Sequence, residues 1–205
     1  NLTKFSDGGY LPISVATVLA ICMWTWVAGA RSVQQKSNES SVALEVLIDS
    51  LEKSKRLAHT QGTAVFLTAE PVVAPPALLH NLKHNGVLHA KNYVVSVRTA
   101  NRPHIDPDEM VKVEVLSDQF ARVRMTFGYM DTPNVPKALR LAVKFDIMTT
   151  SFFLNRRSYR IGTRGDLKRW QARLFVSMSK MATNTTDYFR LPSNRVVELG
   201  QQINL

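Results

Sequence analysis

The stretch GTAVFLTAEPVVAPPALLHNLKHNGVLHAKNYVVSV, residues 62–97, decides the fold class. Gly62 opens a short apolar run, 63–68 (TAVFLT), the length of one strand. Pro71, Pro75 and Pro76 then break the pattern. Pro76 is placed to begin a helix reaching Asn85, and Gly86 is its stop. Residues 93–97 (YVVSV) read as the next strand. Strand, helix and strand in that order make a β-α-β unit. The domain is therefore expected to be α/β, a mixed β-sheet of about five strands flanked by helices.

Downstream, Val111, Val113 and Val115 alternate with Lys112 and Glu114, and Val123, Met125 and Phe127 alternate with Arg122 and Arg124. This predicts an antiparallel hairpin turning near Ser117 and Asp118. One allowed register sets Glu114 opposite Arg122 and the other sets it opposite Arg124. Both give an opposite-charge cross-strand pair, and a one-residue slip would turn the valines outward. Pro136 can start a helix to about Lys144, and 150–154 (TSFFL) reads as a strand. Asp166 can cap a helix over 167–181, with Leu167, Trp170, Leu174, Met178 and Met181 on one face. The stretch 194–205 (NRVVELGQQINL) can return as a final strand.

Upstream, Leu44, Leu47, Ile48 and Leu51 fall at i, i+3, i+4 and i+7 of a helix over 42–56, with Glu52 and Arg56 one turn apart. Residues 31–41 (RSVQQKSNESS) are polar and read as a linker. Ahead of it, 8–30 carries no charged side chain. As a helix, YLPISVATVLAICMWTWVAG (10–29) is about 30 Å long, enough to cross a bilayer's hydrocarbon core. Pro12 sits in the first turn, where its missing N–H costs nothing. Tyr10 at one end, and Trp24 and Trp26 at the other, suit the two membrane interfaces. Arg31 and then Lys36 put the C-terminal side in the cytoplasm by the positive-inside rule. Tyr10, Trp24, Trp26 and Arg31 are thus the expected membrane-interface residues.

Two other readings of that helix stay open. A buried core helix would ordinarily have a polar stripe and a shorter apolar run. A signal peptide is suggested by Ala28-Gly29-Ala30, a small-residue cleavage pattern, with Lys4 as its basic start. Against it, the run exceeds the usual length, and two tryptophans just before the cut are unusual. On the spanning reading the chain divides into 1–30, the membrane helix and its lead-in loop; 31–41, the linker; and 42–205, a cytoplasmic domain.

The composition agrees with a real core: 45% of the 205 residues are hydrophobic and 20% charged. The formal charge is +10, and since Lys4 and Asp7 cancel, the excess lies in 31–205. Such a balance suits nucleic acid, an anionic membrane surface or an anionic small ligand. The lone Cys22 allows no internal disulfide and fits a reducing compartment. The chain begins with Asn1 rather than Met, and is read as a fragment.

Several stretches in order resemble one family. They are Asp7-Gly8-Gly9-Tyr10-Leu11-Pro12, GTAVFLT at 62–68, PPALLHNLKHNGVLH at 75–89, FGYMDTPNVPKAL at 127–139, TSFFL at 150–154 and DYFRLPSNRVVELGQQINL at 187–205. Together they resemble the Kup (KUP/HAK/KT) potassium uptake permeases, the first being similar to the lead-in to that family's last membrane helix. The chain departs at Gly86, where many members carry lysine or arginine, and at Ala90, where an acidic residue is common. The resemblance implies the C-terminal portion of a bacterial permease, multi-pass as a whole and resident in the inner membrane. It implies low-affinity uptake of K+ by symport with H+, and a cytoplasmic part, 31–205, that supports assembly or regulation. It leaves room for a homodimer. It puts the ion sites among membrane helices upstream, so no residue here is expected to coordinate an ion, and it implies no cofactor.

Other chemistry is sparse. His80 and His84 lie one helical turn apart, with His89 close behind, which is ligand spacing. No cysteine accompanies them and no glutamate lies between as in a zincin motif, so packing or backbone hydrogen bonding is expected rather than a metal. Arg156, Arg157, Arg160, Arg164, Lys168, Arg169 and Arg173 are relieved only by Asp166. They read as a solvated basic face, as contacts to anionic lipid headgroups, or as a site for a nucleotide or other anion. Arg156, Arg157, Arg160, Lys168, Arg169 and Arg173 are the anion-contact candidates. The runner-up function is therefore a membrane-anchored cytoplasmic module that binds an anionic ligand. Nucleic acid is not expected, for want of a motif or interleaved aromatics. No G-x-S-x-G, Walker loop, G-x-G-x-x-G or C-x-x-C is present, and Asp106, Asp108 and Glu109 form a Pro-flanked turn, so an enzyme is not expected either.

Overall fold

Pro76 starts a helix and Gly86 ends it in the computed structural model of the chain, which describes residues 9–39, 41–53, 57–162, 167–181 and 185–204. In chain order the helices and strands are α1 (Tyr10–Glu39), α2 (Leu44–Glu52), β1 (Ala58–Thr68), α3 (Pro76–Asn85) and β2 (Val87–Ala100). The short α4 (Pro107–Met110), β3 (Val111–Val115), β4 (Phe120–Gly128), α5 (Val135–Ala142) and β5 (Thr150–Arg160) follow. Then come α6 (Arg169–Lys180), the short α7 (Thr185–Tyr188) and β6 (Val196–Asn204). They fall into two compact units. Ser41–Arg157 with Thr183–Gln201 make a sheet unit; Asn1–Ser40, Ser158–Ala182 and Gln202–Leu205 make a helix-pair unit. The parts of the sequence reading that rest on Lys4, Asp7, Gly8, Arg56, Arg164, Asp166 and Leu205 lie outside the described residues.

The β-α-β unit forms as expected, with β1 and β2 parallel and α3 between them. The sheet has six strands, one more than expected, in the order β3-β4-β2-β1-β5-β6. β4, β2, β1 and β5 are mutually parallel, and β3 adds to the edge antiparallel. Parallel strands must be covered on both faces, and the alternation of β1 provides for that. Val65 and Leu67 join a core with Val95, Val123, Met125 and Phe152 that α5 closes through Ala138 and Leu139. Ala64 and Phe66 face the other way, joining Val94 and Phe153 under Leu44 and Ile48 of α2 and Ala77 and Leu78 of α3. The Phe66 and Phe153 rings stack at 4.8 Å.

Gly62 sits inside β1 rather than at its opening. The β1–β2 register shifts by one residue between Thr60 and Thr63, and Gly62 takes φ +99° within that bulge. A Cβ there would lie 2.6 Å from the Thr149 carbonyl oxygen. Only glycine serves both the backbone angle and the close approach. The β3–β4 hairpin chooses the register that places Glu114 opposite Arg122 and Val113 opposite Val123.

In the helix-pair unit, α1 does not end where its apolar run ends. Residues 31–39, read from composition as linker, continue the helix to Glu39. No glycine or proline interrupts them, and polarity alone does not break a helix. Residues 10–21 are exposed on all sides, whereas Thr25, Gly29, Ser32 and Val33 are buried. Those four recur on one face and form the groove into which α6 packs.

Candidate functional site

Three groupings of the sheet unit's residues stand out, and two of them tie elements of the fold together. The expected Glu114–Arg122 pair is part of a larger knot. Arg122 is buried; its Nε donates to the Pro71 carbonyl at 2.9 Å, one terminal nitrogen to Glu114 Oε2 at 3.1 Å and the other to Glu45 Oε1 at 3.2 Å. Arg124 adds a bond to Glu114 Oε2 at 2.8 Å. One guanidinium thus ties β4 to β3, to α2 and to the loop after β1. Its hydrogen bonds offset the desolvation of a buried charge. The bonds from Arg122 and Arg124 hold the Glu114 carboxyl below its ordinary pKa.

The FGYMDTPNVPKAL stretch forms a clasp. Asp131 Oδ1 lies 2.7 Å from His104 Nδ1, and Oδ2 accepts from the Gly128 N–H at 2.7 Å and the Ile105 N–H at 3.2 Å. The His104 hydrogen bond, then the Gly128 N–H, lower the Asp131 pKa. The N–H groups of Tyr129 and Met130 donate to the carbonyls of Arg102 and Pro103. A Cβ on Gly128 would run into the Pro103 carbonyl, so the close approach requires glycine. Asn134 then caps α5, its side chain accepting from the Lys137 N–H. Sequence reading found the stretch only through the family resemblance, because Asp131 and its partner His104 are distant in the chain.

The histidines do not converge. His80 and His84 stack at 5.8 Å, while His89 packs edge-on to Phe153, where burial lowers its pKa. Among the described residues no three His, Cys, Asp or Glu side chains are grouped to hold a metal. Asp106, Asp108 and Glu109 begin α4, and Arg102 pairs with Glu109 at 3.6 Å. Two open recesses lie on the sheet unit. One is walled by Glu45, Asp49 and Glu52, the other by Lys91, Asn92 and Asp118 with apolar strand residues. Neither contains any of the six anion-contact candidates.

Those candidates separate. Arg156 and Arg157 are exposed on β5 within the sheet unit, and Arg156 pairs with Glu198 at 3.2 Å. Arg160, Lys168, Arg169 and Arg173 belong to the helix-pair unit, all strongly exposed. There α6 begins at Arg169, capped from Lys168, whose N–H donates to Gln171 Oε1 at 3.3 Å. The expected apolar face of α6 is not the buried one. Gln171, Ala172 and Phe175 are buried, whereas Trp170 is half exposed and Met181 open. The partner explains this. The groove of α1 is narrow and lined by small residues, so it takes one large ring, Phe175, flanked by short side chains; a Cβ on Gly29 would strike that ring. Trp26 packs on Phe175 at 5.4 Å, Trp24 meets Trp170 at 6.3 Å, and Ile203 completes the cluster with Val33 and Ala172. Of the expected interface residues, Trp24 and Trp26 are thus held by α6, while Tyr10 and Arg31 stand free of the cluster and exposed.

Residues 61–205 match the family described as the K+ potassium transporter C-terminal domain. The chain is 44% identical to a "Probable potassium transport system protein Kup" of Rhizobium tropici, over 99% of this chain and 98% of that protein. It is 44% identical to the protein of the same name from Rhizobium rhizogenes, over 99% of this chain and 33% of the relative. It is 47% identical to "Probable potassium transport system protein Kup 2" of Rhodopseudomonas palustris, over 100% and 33%. The chain therefore spans about a third of the length of the last two, and nearly all of the first. No solved structure matches it.

Proposed function

We propose, on the premise that the chain belongs to the K+ potassium transporter family, that it forms the last membrane helix and the cytoplasmic domain of a Kup potassium uptake permease. The observation that carries this reading is a juxtaposition. A domain matching the family's C-terminal part is joined to a helix, Tyr10–Asn38, whose most apolar window is only 6% buried. A core helix would be covered. A cleaved signal peptide would not have its Gly29 packed beneath Phe175. The bare face over 10–21 suits lipid or neighbouring membrane helices, and Arg31 and Lys36 suit the cytoplasmic side.

On this reading K+ crosses with H+ through upstream helices in the inner membrane, and the sheet unit serves assembly or regulation. The chain alone carries no ion, because one helix cannot enclose a polar path. The relatives are potassium transport proteins by name, and the groupings described above are structural, which speaks against an enzyme. The test is potassium rescue of an uptake-deficient bacterium by the longer protein of which this chain is part. Growth at low potassium, with uptake that weakens as the proton gradient is collapsed, supports it. Inserted, well-expressed protein that gives no rescue overturns transport; rescue that ignores the proton gradient overturns symport alone.

A further inference from the structure

We propose that the start of α6 and the neighbouring turn of α1 form a seat for the headgroup of an anionic phospholipid. The inference rests on the reading of α1 as a membrane span. An apolar helix over 10–29 covers about 30 Å, so its C-terminal turns, from Trp24 to Arg31, fall at the headgroup level. α6 is held at that level by its own packing, because Trp170 meets Trp24 and Phe175 meets Trp26 and Gly29. Both Trp24 and Trp170 keep about half their surface exposed, at 57% and 46%, the disposition of interfacial aromatics rather than core ones.

Lys168, Arg169 and Arg173 flank Trp170 in sequence at the start of α6, and Arg31 follows Trp24 by about two turns of α1; all four are exposed and none is bonded to a carboxylate among the described residues. The charges work against the helix that bears them. The first turn of α6 has no acidic residue, and Lys168 and Arg169 stand at its N-terminus, where the helix dipole is already positive. Helix stability does not account for cations there; an anion held between them would relieve both the side chains and the dipole.

The two rival readings of this basic segment fit less well. A solvated face has no need of two half-exposed tryptophans next to a membrane span. A soluble nucleotide needs a concave site, and the two recesses described above are lined by residues of the sheet unit, none of them among these basic side chains. A headgroup needs only an open shelf at the right depth. Arg156 drops out, since Glu198 already neutralises it.

The test uses the whole chain, reconstituted in mixed phosphatidylglycerol and phosphatidylcholine and read by native mass spectrometry for the lipid it retains. The expected result is a preference for phosphatidylglycerol of at least about tenfold, falling as salt rises. Lys168→Gln, Arg169→Gln and Arg173→Gln combined should bring the ratio close to one, while Lys83→Gln, an exposed lysine of the sheet unit, leaves it unchanged. A wild-type ratio near one overturns the proposal. So does a triple variant that keeps the preference, or an equal loss in Lys83→Gln, which would indicate net charge alone. Full displacement of the lipid by millimolar inorganic phosphate or ATP also overturns it, in favour of a soluble anion. Alkaline carbonate extraction separates the two levels. A chain that resists extraction but shows no preference sinks only this inference; a chain that is stripped from the membrane sinks the spanning reading as well.

Discussion

Phe66 and Phe175 are both large rings buried to within a few per cent, yet they sit in opposite kinds of surroundings. Phe66 lies in a sheet closed by α2 and α3 on its own side and by α5 on the other, so its environment is supplied by its own unit. Phe175 lies in a groove one helix wide, and the apolar half of that helix is bare. The sheet unit's two core clusters are closed by its own helices. The helix pair covers only the later part of α1 and leaves residues 10–21 exposed. The two units also report separately, because Trp24, Trp26 and Trp170 all belong to the helix pair. Tryptophan emission therefore follows that unit, and strand circular dichroism follows the other.

That separation can be broken or sharpened by substitution. Phe66→Ala should have the largest effect, a loss of about 3–5 kcal/mol in urea unfolding followed by circular dichroism, with tryptophan emission nearly unmoved at low urea. A coincident loss of both signals would mean that the units unfold as one. Arg122→Met should cost about 3 kcal/mol, since it strands the Pro71 carbonyl, releases Glu45 and leaves Glu114 to Arg124 alone. Glu45→Gln, whose carboxylate is mostly exposed, should cost less than about 1 kcal/mol in the same assay. Equal losses would show that the knot depends on its weakest arm.

Acid should act on the sheet unit as well. The Glu114 and Asp131 pKa values are depressed in the fold, so their stabilisation is complete above the ordinary carboxylate range and is lost as pH falls through the depressed values. His89 acts in the same direction but earlier, beginning as pH drops below its ordinary 6.5, because the buried ring resists the proton that the unfolded chain accepts. The unfolding midpoint should therefore decline in two stages on acidification, and Asp131→Asn should flatten the lower one. Unchanged acid sensitivity in that variant would remove the clasp from the account.

Gly29→Leu should cost about 1–3 kcal/mol by driving a side chain into the Phe175 ring, read as a shift in tryptophan emission in detergent or nanodiscs with strand dichroism intact. Gly86→Lys should be smaller, about 1 kcal/mol in thermal unfolding. Its φ of +61° disfavours an L-residue, but nothing lies within 4 Å of the added Cβ. The residue common in the family thus fits the space at this position and meets only the backbone cost.

The sheet unit was the more legible of the two for a physical reason. Its strands are short apolar runs punctuated by Pro71, Pro75, Pro76 and Gly86, and the charges of Glu114, Arg122 and Arg124 limit the hairpin to two registers. Local signals there agree with the final packing. Strand order was not legible, because the β1–β5 pairing links residues far apart with no local mark. The helix pair misled in both of its parts. The polarity of 31–39 suggests a linker, but it does not break the helix, and Ser32 and Val33 there are buried against α6. In α6 the apolar stripe through Trp170 and Met181 borders the buried face rather than forming it, because a groove of Thr25, Gly29 and Ser32 selects for fit rather than for hydrophobicity. The tryptophans and arginines of the candidate site were visible in sequence. What joins Trp24 to Trp170 was not.

The helix-pair unit is threaded from three distant stretches of chain, the last containing Ile203. During synthesis α1 precedes most of the sheet unit, and the α6 that fills its groove follows it. Phe175 arrives late, and Ile203 later still. A chain arrested after β5 but before Ile203 would possess its apolar helix and five of its six strands, but not the contact that joins Val33, Phe175 and Ile203. Of the two units, the one that comes earlier in this chain is thus the one completed later.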